Sequence, residues 1–213
     1  NVSHLQQYRP KEPLQIFSQE GLLIAEFGEE RRDHVLIQNV PQKMINAILA
    51  IEDRRFFEHP GIDIIGVLRA ALKNISGQGH EGASTITMQV ARNFFLSSER
   101  TFKRKINEIL LAIKIEDSLS KEEILELYVN QIYLGQRAFG FSAAANAYFN
   151  KSLDELNLAE SALLAGLPKA PSRYNPLINP ELAIQRQQAV LRSMLRHGYI
   201  DNPTYQIALE ERS

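Results

Sequence analysis

Apolar residues recur every three or four positions along most of this chain, the spacing of helices that bury one face. Behind Pro41, whose fixed φ suits a first turn, Met44, Ile45, Ile48, Leu49 and Ile51 predict a helix ending near Glu52. Ile64 to Ile75, "IIGVLRAALKNI", is a second apolar helical segment, followed by the glycine-rich "SGQGHEG" and then "ASTITMQVARNFFL". From Phe102 to Asp117, Phe102, Ile106, Ile109, Leu110 and Ile113 form one stripe with the charges largely opposite. Ser120 and Glu123 spell a capping box that opens a helix through Ile124, Leu127, Tyr128 and Ile132, stopping near Gly135. "AFGFSAAANAYF" has the small and aromatic residues of a close-packed helix. Asn157 and Glu160 cap the next, which Gly166 and Pro168 end. Asn179 and Pro180 open a long last helix that closes at His197 and Gly198. Before all of these, Leu14 to Phe27 carries two short apolar runs around Gln19, Glu20 and Gly21, the pattern of a β-hairpin or extended arm. With no internal repeat and no βαβ alternation, the fold class is mainly α.

Composition narrows the classes. A chain of 213 residues with 44% hydrophobic and 23% charged residues buries a proper core, and one domain is expected. A net charge of -1 argues against a nucleic-acid binder that works through an overall positive field. The absence of cysteine excludes thiol catalysis and disulfides. No apolar run reaches the roughly 18 residues of a membrane span, and the chain opens at Asn1 without a Met, which fits a trimmed or mature fragment with room for an anchor removed upstream.

The candidate chemistry lies in carboxylates set among cations. "IEDRRFFEHPGID" crowds Glu52, Asp53 and His59 around a helix end, and "FKRKINE" puts Arg104, Lys105 and Glu108 on one helix face. A cationic face with one carboxylate suits a phosphate or diphosphate, with a divalent ion bridging Glu108 to its oxygens. "GASTITMQ" offers Ser84, Thr85, Thr87 and Gln89 behind a flexible lead. Each has a plainer reading: surface ion pairs for the glutamates, helix caps for the hydroxyls, turn anchoring for His59, and packing or capping for Tyr128, Asn130 and Glu126. The histidines have no metal-ligand spacing.

Taken together and in order, "EDRRFFEHPG", "GASTITMQ", "RKINE" and "KEEILELYVN", followed by "IYLGQRAFG" and "LNLAESALLAGLPKAPSRYNP", resemble the peptidoglycan glycosyltransferase domain of class A penicillin-binding proteins and of monofunctional peptidoglycan glycosyltransferases, glycosyltransferase family 51. The resemblance covers almost the whole chain. It implies a lysozyme-like large lobe with a smaller, mobile, membrane-facing lobe. Residues 1–38 would be the arm, 39–200 the helical catalytic body with about 62–98 including the small lobe, and 201–213 a tail toward a following domain. The implied reaction is inverting polymerisation of lipid II into β-1,4-linked glycan, with Glu52 as general base for the acceptor hydroxyl and Glu108 as second carboxylate holding Mg or Mn. Arg104 and Lys105 would neutralise the leaving diphosphate, and Ser84, Thr85 and Gln89 would contact the donor or organise the cleft. Lys121, Glu126, Tyr128 and Asn130 would be mainly structural, with Lys121 and Glu126 touching the acceptor side, while Asp53 and His59 would fix the loop carrying Glu52. The implied partners are lipid II, the growing lipid-linked strand, the outer face of the bacterial cytoplasmic membrane and other cell-wall synthesis proteins. A muramidase-like hydrolase and a catalytically silent recruiting domain are the competing readings. One departure is visible: Met88 stands where many members carry a second Gln, and it either removes a polar contact or fills a core gap.

Overall fold

The computed structural model describes residues 14–17, 23–27, 34–75, 84–95 and 102–211. Two short strands, β1 (Leu14–Phe17) and β2 (Leu23–Phe27), pair antiparallel with Leu14 opposite Phe27. The α-helices of the described structure are α1 (Gln42–Glu52), α2 (Ile64–Ile75), α3 (Ile86–Phe95), α4 (Phe102–Ser118), α5 (Lys121–Gln131), α6 (Phe141–Phe149), α7 (Leu158–Gly166), α8 (Pro180–Arg196) and α9 (Asn202–Glu210). The glycine-rich 76–82 and the interval 18–22 lie outside the described residues.

Local sequence chemistry sets the helix boundaries. Ser120 and Glu123 exchange both capping-box bonds at the start of α5, at 3.2 and 2.7 Å, and Asn157 and Glu160 do the same for α7 at 2.8 Å each. Within 201–213, expected as a tail, Asn202–Glu210 form α9: Asp201 accepts the Thr204 amide at 2.9 Å, and Pro203 occupies the first turn, where its missing N–H costs nothing.

The helices pack in two groups, α7 against α1 and α8 with α8 also against α1 and α9, and α3 against α4 and α5, with α6 between α5 and α7. Helix α7 is buried from Ala159 to Gly166, so its small residues let neighbours approach from several sides. The core runs through Met44, Ile48, Phe56, Ile115, Tyr128, Phe141, Leu164 and Met194.

Helix α4 reverses the face that its apolar stripe predicts. Ile106, Leu110 and Ile113 are exposed, whereas Glu108, Ala112 and Ile115, also spaced at four and three, face inward. Ile64, Ile65, Val67 and Leu68 of α2 are exposed as well. Two amphipathic helices thus turn apolar side chains to the outside, and α4 turns a carboxylate to the inside.

Candidate active site

Glu52 is the last residue of α1, fixed by the buried Met44, Ile45 and Ile48 of the same helix. Its side chain is only 12% exposed. Gln89 of α3 donates Nε2–H to Glu52 Oε2 at 2.9 Å, and Arg186 of α8 places Nη2 3.6 Å from Oε1. Burial pushes the Glu52 carboxyl above its ordinary pKa; the Gln89 hydrogen bond and the charges of Arg186 and Lys169 pull against this, and Asp53 adds to it. Tyr128 of α5 lies against the same group. Burial, and then the Glu52 charge, hold its phenol well above the usual range, and its hydroxyl has no hydrogen-bond partner among the described residues.

The loop after Glu52 is locked from three directions. Asp53 accepts from His59 Nε2 at 2.8 and 3.0 Å and from the Ile86 amide at 3.0 Å, which ties the end of α1 to the start of α3. Thr85 Oγ1 donates to Gly61 O at 2.6 Å. Gly61 has φ +87, and a Cβ there would stand 3.0 Å from Ala112 O, so glycine alone lets the loop lie on α4. Lys121 Nζ donates to His59 O and Glu116 Oε1, both at 2.7 Å, and lies 4.5 Å from the Phe56 ring centre. Thr87 Oγ1 reaches the same Glu116 oxygen at 2.5 Å.

Glu108 has no exposed surface, yet it is the opposite of Glu52 electrostatically. Its Oε1 accepts from Arg92 Nη2 at 2.8 Å, Lys105 Nζ at 3.0 Å and Ser84 Oγ at 3.2 Å, and its Oε2 accepts from Arg92 Nε at 3.3 Å. Burial alone would raise the carboxyl, but hydrogen bonds from Arg92 and Lys105 outweigh it and hold the group below its ordinary pKa. The two cations are 40% and 43% exposed, so a cationic surface lies over the buried Glu108 carboxylate. Arg104 stands half-buried one residue before Lys105.

The remaining sequence candidates divide plainly. Met88 is buried, which places its thioether in the core. Glu126 and Asn130 hold the segment entering the helical body: Glu126 Oε2 accepts from the Ile37 amide at 2.8 Å, and Asn130 brackets Val35 with bonds of 2.8 Å to its N–H and C=O. Arg92, Glu116, Lys169 and Arg186 are additions that the motifs did not single out. Arg92 was within reach of sequence reasoning, since it follows Gln89 by one helical turn. Arg186 was not, because it meets Glu52 only through the packing of α8 on α1. As a whole, the site offers a desolvated carboxylate with a raised pKa and, held from the next turn of α3, a carboxylate whose pKa is lowered by cations, suited to moving a proton near a departing anion.

Comparison with known proteins follows the same lines. The family model described as Transglycosylase matches residues 20–195. Penicillin-binding protein 1A of Neisseria gonorrhoeae is 56% identical over 212 residues, covering 99% of this chain and 27% of the relative. The protein of the same name from Pseudomonas aeruginosa is 52% identical over 212 residues, covering 99% of this chain and 26% of the relative. The chain therefore spans about a quarter of the length of the curated relatives it matches. The crystal structure of penicillin-binding protein 1A from Haemophilus influenzae superposes with a TM-score of 0.56 at 32% identity, covering 97% of this chain and 21% of that one.

Proposed function

The chain belongs to the transglycosylase family, and on that premise we propose that it polymerises lipid II into β-1,4-linked glycan with inversion at the anomeric carbon, releasing undecaprenyl diphosphate. The observation that carries the assignment of roles is the opposed setting of the two glutamates. Glu52, buried with a raised pKa, accepts a proton readily, and we assign it as the base that takes the proton from the acceptor 4-hydroxyl. As that oxygen bonds to C1 of the donor, the C1–O bond to diphosphate breaks and its electron pair leaves with the diphosphate. Diphosphate needs neutralisation more than protonation. Arg92, Lys105 and Arg104 are assigned to that work, with Ser84 as a hydrogen-bond partner.

Glu108 keeps those cations in place. A Mg or Mn ion bound here would be held by the Glu108 carboxylate and the Ser84 hydroxyl oxygen. Among the described residues no cluster of three acidic or histidine side chains forms a closed metal cage. Such an ion would supply further neutralisation of the diphosphate charge.

We further propose the two-lobe arrangement, with a lysozyme-like body and a smaller lobe from about residue 62 to 98 that faces the membrane. The support is the outward apolar faces of α2 and α4. No described helix is long and apolar enough to cross a membrane. The outer face of the bacterial cytoplasmic membrane is the proposed site of action, with lipid II and the growing strand as substrates. Asp53, His59, Thr85 and Lys121 are assigned to bracing the loop, Glu126 and Asn130 to anchoring the entry segment, and Gln89 to holding the base.

A muramidase-like hydrolase would also use a glutamate with a raised pKa, as an acid on a glycosidic oxygen. The cations around Glu108 favour a diphosphate leaving group instead. The test is polymerisation of labelled lipid II in detergent with Mg or Mn, read as a product ladder for the wild-type chain and Glu52→Gln. A ladder from the wild type alone is expected. Water-cleaved sugars from finished glycan would assign the hydrolase, and equal ladders would remove Glu52 from the chemistry.

A further inference from the structure

Arg186 reaches Glu52 by an unusual route. Its stem crosses the end of α7 directly over Gly166, where an added Cβ would stand 2.8 Å from Arg186 Cγ. On the way its Nε donates to Gly166 O at 3.1 Å, and its guanidinium carbon lies 5.7 Å from the Tyr174 ring centre. It then arrives with Nη2 3.6 Å from Glu52 Oε1, only 12% exposed. A guanidinium so enclosed is held by three fixtures: a carbonyl, an aromatic face and a missing side chain. The other carboxylate oxygen, Oε2, belongs to Gln89.

We infer that Arg186 is a positioning residue for the Glu52 base, seated by the bare Cα of Gly166, and that it steers Oε1 while Gln89 steers Oε2. This rests on the reading of Glu52 as the base. An ion pair from α8 and a hydrogen bond from α3 thereby act separately on the two oxygens of the carboxylate. Gly166 is needed for the arrangement because even a methyl group would push the arginine stem aside, although its helical backbone, φ -78 and ψ -21, would accept alanine without strain.

The charged and titratable groups around Glu52 define what the arrangement does with pH. They are Arg186 from α8, Lys169 from the turn after α7, Asp53 next in the chain and the Tyr128 phenol from α5, with neutral Gln89 from α3. Of these the two cations favour the ionised base and Asp53 opposes it. Moving Arg186 away therefore raises the pKa of Glu52, and the acid limb of the rate profile moves to higher pH.

The experiment is the pH profile of lipid II polymerisation by the full chain, comparing wild type with Gly166→Ala, Arg186→Lys, Arg186→Met and Glu52→Gln, each checked by thermal melting. Arg186→Met should shift the acid limb upward by about one to two pH units, and Gly166→Ala, which keeps every charge but displaces the stem, should shift it in the same direction by less. Arg186→Lys should restore part of the shift. Gly166→Ala carries the test if the Met variant melts early. If Glu52→Gln is inactive while folded Gly166→Ala, or folded Arg186→Met, keeps the wild-type limb, the positioning role is wrong and the base survives. If Glu52→Gln retains activity, the base itself is wrong.

Discussion

Gln89 and Arg92 stand one turn apart on α3, and each holds a different glutamate: Gln89 Nε2 bonds Glu52 Oε2 at 2.9 Å, and Arg92 Nη2 bonds Glu108 Oε1 at 2.8 Å. A single rigid turn thus connects the two halves of the proposed chemistry. The helix is itself pinned at its start by Asp53, which accepts the Ile86 amide. Base, helix and cation cluster are therefore one mechanical unit.

Arg92 should matter as much as the cations of the third motif. Replacing it with Ala is expected to lower kcat/KM for lipid II by about 10²-fold, the scale for removing one donor to developing negative charge. Steady-state polymerisation rates check this. A rate equal to wild type would confine Arg92 to holding Glu108.

Glu52 should exact a stability cost that its substitution relieves. Its folded-state pKa is raised above 4.5, so the native state holds this proton more tightly than the unfolded chain. Stability falls as pH rises from about the unfolded pKa through the folded one, and the full penalty is present above both. Glu52→Gln should therefore melt a few degrees higher than wild type at neutral pH, with the difference fading below pH 4.5. Melting curves at several pH values decide it, and a destabilised Gln variant at neutral pH would mean that the ionised carboxylate is net stabilising.

Glu108 has the opposite sign. Its folded pKa lies below 4.5, so its contribution is present above that value and lost as pH falls through the folded pKa. The cost of breaking the cluster should be asymmetric. Glu108→Gln leaves two cations that are 40% and 43% exposed and can turn to water, at about 0–1 kcal/mol. The double change Arg92→Ala with Lys105→Ala strands a fully buried carboxylate, at about 3–5 kcal/mol near neutral pH. Urea unfolding of the three proteins measures the difference.

Asn130→Ala should reduce stability without touching the chemistry. It removes bonds to both the N–H and the C=O of Val35, which at about 1 kcal/mol each predicts a loss of about 2 kcal/mol. Turnover per folded molecule should equal that of wild type. A change in KM for lipid II would instead bring this end of α5 into substrate binding.

Much of the fold was legible in order. The Ser120–Glu123 and Asn157–Glu160 boxes marked helix starts because capping is a bargain among neighbours four residues long, and α1 followed from its spacing behind Pro41. The final helix α9 was passed over, although Asp201 and Pro203 carry its start signals, because only Ile207, Ala208 and Leu209 supply an apolar cluster behind them. The direction of α4 was not legible at all: periodicity reports that a helix has two faces, and only its neighbours determine which one turns inward.

By itself the sequence determined most of the helices and the family, and it singled out the two glutamates as candidates, since these are properties of residue types at short fixed spacings. Tertiary structure decided the rest. Burial, which separates the pKa of Glu52 from that of Glu108, depends on what packs above each carboxylate. Arg186 becomes a partner of Glu52 across 134 positions of chain only because α8 lies along α1 and Gly166 leaves room for its stem.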